Sequence, residues 1–103
     1  MRCFVEFDVY AVIIEIPEPV GLKIKKYRNR FLDWIYDKNA KHSYLKRYTD
    51  SRGKPYYGAN YDENAFVYWL NECVIKDKFE PAVIVERNLD PNMCPEGMVK
   101  IFF

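Results

Sequence analysis

With 103 residues, 50 % of them hydrophobic and 17 % aromatic, the chain is too apolar for a disordered polymer and long enough for one modest core. Its main apolar run ends at Ile14 before Glu15, far short of the ~20 residues that cross a bilayer. The first residues also lack the apolar stretch and small-residue cleavage site of a secretory signal, so a single cytoplasmic domain over residues 1–103, without membrane contact, is expected.

In chain order, residues 4–16 are dense in β-branched and aromatic side chains, with Glu6 and Asp8 alternating against Val5, Phe7 and Val9. This predicts one long strand, bulged or doubly buried in its second half and ended by Pro17. Pro19 suits the first turn of a helix running to about Lys38. Val20, Ile24, Tyr27, Phe31, Trp34 and Ile35 form its apolar stripe, with Lys23, Lys26 and Arg30 on a solvated side.

From residue 39 to 60 the helical period is lost. Two tyrosine-bearing stretches, 42–49 and 54–59, flank Asp50-Ser51-Arg52-Gly53, which has the chemistry of a tight turn and predicts a β-hairpin or hairpin-like arm. Asn60 or Asp62 then caps a second helix, Asn60 and Glu63 having the spacing of a capping box. Phe66, Trp69, Leu70 and Cys73 make its inward stripe, with Tyr68, Glu72 and Ile75 opposite. Pro81 introduces a short buried strand at 82–86. Residues 88–97 read as a surface loop, and 98–103 as a last strand, an edge open to a second copy. The fold expected is α+β: a mixed or antiparallel sheet of three to five strands with two amphipathic helices on one face, in the order β, α, β-hairpin, α, β, β.

The three cysteines, Cys3, Cys73 and Cys94, have neither C-x-x-C spacing nor a partner histidine, which argues against a disulfide framework or a zinc site. Cys73 is expected in the core and the other two as incidental thiols. Motifs that cradle phosphates or dinucleotides, raise a nucleophilic serine or bind catalytic zinc are missing. Glu6 with Asp8 is read as a solvated strand face, and Asp62 with Glu63 as a helix start. The lone histidine, His42, is read as a surface residue at a strand start, with nuclease-type acid/base chemistry as the lesser alternative. No catalytic residue, metal or cofactor is assigned.

Charge is the more informative signal. Residues 22–54 hold eleven Lys or Arg against three Asp, a net +8, and the remainder carries −7. Such a division points to an anionic partner or a self-complementary assembly, unless folding interleaves the two signs. The hairpin mixes Lys41, Lys46, Arg47, Arg52 and Lys54 with Tyr44, Tyr48, Tyr56 and Tyr57, and with His42 and Tyr68 these make the expected partner-binding set. The same composition suits single-stranded nucleic acid, but the overall charge of +1 is low for that class. A small non-catalytic binding protein of the inhibitor, immunity or antitoxin kind, directed at a protein with an acidic surface, is the function expected.

Overall fold

The computed structural model describes residues 1–40 and 42–103. The single strand expected over residues 4–16 is instead an antiparallel hairpin of β1 (Arg2–Glu6) and β2 (Ala11–Glu15). Phe7 N–H donates to the Tyr10 carbonyl at 2.8 Å, and the two rings stack across the turn with centroids 5.1 Å apart. Asp8 and Val9 form the turn, which carries no glycine, asparagine or proline, so strand periodicity reads straight through it. Asp8 is thus a turn residue, while Glu6 remains on the strand and pairs with Lys100 at 3.0 Å.

β5 (Val83–Leu89) joins β2 antiparallel and β6 (Val99–Phe102) joins β1 in parallel, giving a mixed sheet of order β5-β2-β1-β6. The fold is α+β, as expected. Cys3, Val5, Val12, Ile14 and Ile101 face one side of the sheet and pack with the buried residues of the helices. Phe31 sits among the rings of Trp34, Tyr61, Phe66, Trp69 and Phe103, with centroids 5.3 to 6.0 Å away. Four of those contacts are edge-on, the favoured arrangement of ring quadrupoles. On the opposite side Phe4, Ala11 and Ile13 are covered by Leu89, Cys94 and Met98, so the loop before β6 closes the second face.

The first helix is broken in two. α1 (Glu18–Gly21) is one turn, and α2 (Ile24–Ile35) starts after Leu22 and Lys23 and ends three residues short of the expected Lys38. Gly21 is buried at the corner, where an added Cβ would lie 3.2 Å from the Ile16 side chain and 2.6 Å from Met1 Sδ. The predicted stripe is nonetheless the inward one.

α3 (Glu63–Trp69) is capped by Asp62, whose Oδ1 accepts from Asn64 N–H at 3.0 Å and Ala65 N–H at 3.1 Å; Asn60 does not serve as the cap. A π-helical turn, Leu70–Ile75, continues the helix, and Lys76 N–H reaches back five residues to the Asn71 carbonyl at 2.7 Å. Its wider winding rotates the later side chains about the helix axis. Ile75, expected outside, is fully buried, and Cys73, expected in the core, is exposed; the buried thiol is Cys3. Asn71 bonds both polar groups of Ala82, fixing the entry to β5.

β5 corrects the short buried strand expected at 82–86. It is a seven-residue edge strand, largely exposed, with register shifts against β2 and Asn88 at φ 57°. Its Ala-Val-Ile-Val run looks buried because a continuous apolar run carries no information about which strand lies at an edge. Among the described residues no helix is long and apolar enough to cross a membrane.

Candidate functional site

A second sheet of two strands, β3 (Leu45–Thr49) and β4 (Pro55–Ala59), stands apart from the first. It is the hairpin expected from the sequence. Asp50 closes its turn, accepting from Arg52 N–H at 2.9 Å and Lys54 N–H at 2.8 Å through Oδ1, while Gly53 takes φ 79°, a conformation that favours glycine. The strands pair in register from Leu45↔Ala59 to Thr49↔Pro55 and pack chiefly on each other. The radius of gyration of 15.0 Å exceeds the roughly 13 Å of a compact chain of this length, as a projecting arm requires.

Alternation divides the arm into two faces. Lys46, Tyr48, Tyr56 and Gly58 share one; Arg47, Tyr57, Leu45 and Ala59 share the other. Tyr48 and Tyr56 stack with centroids 5.5 Å apart, and Gly58 leaves room for the Tyr48 ring, which would lie 3.0 Å from any added Cβ. On the second face Lys38, just beyond α2, places its ammonium 4.4 Å over the Tyr57 ring. Lys46, Arg47, Arg52 and Lys54 are exposed and, among the described residues, none is in an ion pair; the only acid between them, Asp50, is committed to the turn.

His42 and Tyr44 are spent on the root of the arm. Tyr44 N–H donates to His42 Nδ1 at 3.1 Å, so Nε2 carries the proton and donates to the Trp34 carbonyl, also at 3.1 Å. Trp34, His42 and Tyr44 form an aromatic cluster with centroids 4.3 to 6.0 Å apart. Both ring nitrogens of the histidine are thereby engaged by backbone. Of the expected partner-binding set, Lys46, Arg47, Tyr48, Arg52, Lys54, Tyr56 and Tyr57 come together on the arm. Tyr68 is exposed on α3, a separate element, and Lys41 lies outside the described residues.

The rest of the basic segment is dispersed. Lys23, Lys25, Lys26 and Arg30 are exposed on α1–α2, whereas Arg28 turns to β6, donating to the Phe102 carbonyl at 3.0 Å. Asp62 and Glu63 do structural work: Glu63 is buried, its Oε1 3.3 Å from Arg87 Nη1. Burial and that carboxylate push the Tyr10 phenol up to about 12. Among the described residues no cluster of His, Cys, Asp or Glu could hold a metal ion. Lys38, Tyr36 and Val9, which border the arm or its root, escaped the sequence reading; Val9 did so because the turn that exposes it reads as part of a strand. No protein family, curated protein or solved structure matches this chain.

Proposed function

We propose that this chain is a non-catalytic binding protein that recognises an acidic protein surface through its projecting arm, in the manner of a small inhibitor, immunity protein or antitoxin. The observation that carries the reading is the arm itself: four exposed cations without ion-pair partners among the described residues, set beside Tyr56 and Tyr57, which are 50 % and 45 % exposed. Unpaired cations at an exposed, projecting position raise the rate of encounter with an acidic surface, and tyrosines supply contact area at small entropic cost. His42, whose ring nitrogens are both held by backbone, has a structural part here.

One observation favours single-stranded nucleic acid as the second reading, the stacked Tyr48–Tyr56 pair beside Lys46. Low-salt affinity purification from the source lysate separates the two. A stoichiometric protein band with a low A260/A280 ratio is the expected result, while a high ratio abolished by ribonuclease would replace the protein reading with the nucleic-acid one.

A further inference from the structure

Beside the root of the arm is an open cleft of ≈ 550 Å³ between the β1–β2 turn, the end of α2 and the linker after β4. Its wall includes a stack in which Phe7 lies between Tyr10 and Phe103, at 5.1 and 5.3 Å. The rims are Val9 and Tyr36, 81 % and 51 % exposed. Val9 is the most exposed of the large apolar side chains described, and the fold does not account for it. A two-residue hairpin turn is best served by Gly, Asn or Asp, and a β-branched residue at its tip gains nothing locally.

The cleft and the arm are one surface. Ala59 ends β4 and also lines the cleft; Tyr36, on the far rim, precedes Lys38, whose ammonium covers Tyr57, and Tyr57 faces Arg47 across the hairpin. Charge changes along this strip. The arm end is cationic, whereas among the described residues no cation lines the cleft and the exposed carboxylate of Asp8 stands at its edge. An acidic side chain is therefore drawn to the arm and kept out of the cleft, which is left for an uncharged one.

Resting on the protein-binding function proposed for the arm, we propose that the cleft is the anchor half of the binding surface, taking one apolar side chain of an acidic protein segment whose carboxylates lie against Lys38 and Arg47. Charge complementarity selects the segment, and Val9 with the aromatic rings on one wall of the cleft sets its register, the division of labour seen where a desolvated anchor is ringed by polar contacts.

Two synthetic peptides test this by fluorescence anisotropy at low salt: hexaglutamate, and hexaglutamate extended by a single phenylalanine amide. The phenylalanine peptide is expected to bind at least about tenfold more tightly, the increment for a largely buried ring. Val9→Asn and Tyr36→Ser, at exposed positions where circular dichroism verifies folding, should abolish that difference. Arg47→Glu should weaken both peptides. If both peptides bind equally well and respond to Arg47→Glu, the cleft is not an anchor and the arm reading stands. If neither peptide binds, or Arg47→Glu changes nothing, the arm reading falls and the anchor with it.

Discussion

His42 and Trp34 lie with ring centroids 4.3 Å apart, and the histidine Nε2–H donates to the tryptophan carbonyl at 3.1 Å, so one side chain ties the arm to the end of α2. The same ring accepts Tyr44 N–H one residue before β3 begins. His42→Ala removes both bonds and a ring contact, with an expected cost of about 1–3 kcal/mol at the root of the arm. Amide exchange in β3 and β4 should then accelerate by about tenfold or more, with little change in the four-stranded sheet. Unchanged exchange in the arm would show that the cluster does not hold it.

The π-helical turn makes opposite forecasts for two neighbours. Ile75→Ala should cost about 2–5 kcal/mol because it empties a fully buried site, whereas Cys73→Ala should fall within about 0.5 kcal/mol of wild type. Urea unfolding measures both. Regular α-helical winding, with Cys73 inside and Ile75 outside, would reverse the order.

Lys76, which ends that turn, has φ 46° and ψ −125°, and Lys78 N–H donates to the Ile75 carbonyl at 3.0 Å. These are the marks of a turn whose first central position belongs to glycine. Lys76→Gly should stabilise the protein by about 0.5–1 kcal/mol, the relief of strain exceeding the added freedom of the unfolded chain. A lower denaturation midpoint for the variant would contradict this.

Cys3 is fully buried, and burial raises its thiol from 9.0 to about 11. The unfolded chain therefore loses this proton first as pH rises. The thiol's contribution to stability is complete below about 9 and declines as pH climbs toward about 11. At pH 8 an aromatic disulfide reagent should modify exposed Cys73 promptly and Cys3 only after denaturation, and mass spectrometry of the labelled peptides reads the difference. Equal labelling of the two sites in the native protein would mean that β1 opens readily.

For the arm, charge and ring contacts should separate kinetically. Lys46→Ala and Lys54→Ala are expected to slow association with the captured protein partner a few-fold, an effect that vanishes at high salt. Tyr56→Ala, lacking an exposed ring, should shorten the lifetime of the complex by about tenfold. Surface plasmon resonance resolves the two rates, and a Tyr56 variant dissociating like wild type would remove Tyr56 from the contact surface.

Local chemistry was legible wherever it acts within a few residues. The arm could be read from Asp50 and Gly53 because a turn needs a side-chain acceptor and a positive φ, and both are encoded in four residues. The apolar stripe of α2 could be read because it repeats at 3.6 residues, whatever it packs against. The tertiary structure decided the rest. Asp8 is the single turn-favouring residue at the β1–β2 turn, and its alternation with apolar neighbours reads as a strand; in the folded chain the hairpin places Phe7 in a stack between Tyr10 and Phe103, the last of which lies 96 residues further on. The inversion of Cys73 and Ile75 likewise depends on one wide turn, selected by what Ile75 gains in the core and by Asn71 holding the entry to β5. The charge count foretold a basic segment but not its division, which arises because Arg28 finds the edge of β6 while the arm, having no acid within reach except the one in its turn, keeps its cations free of ion pairs among the described residues.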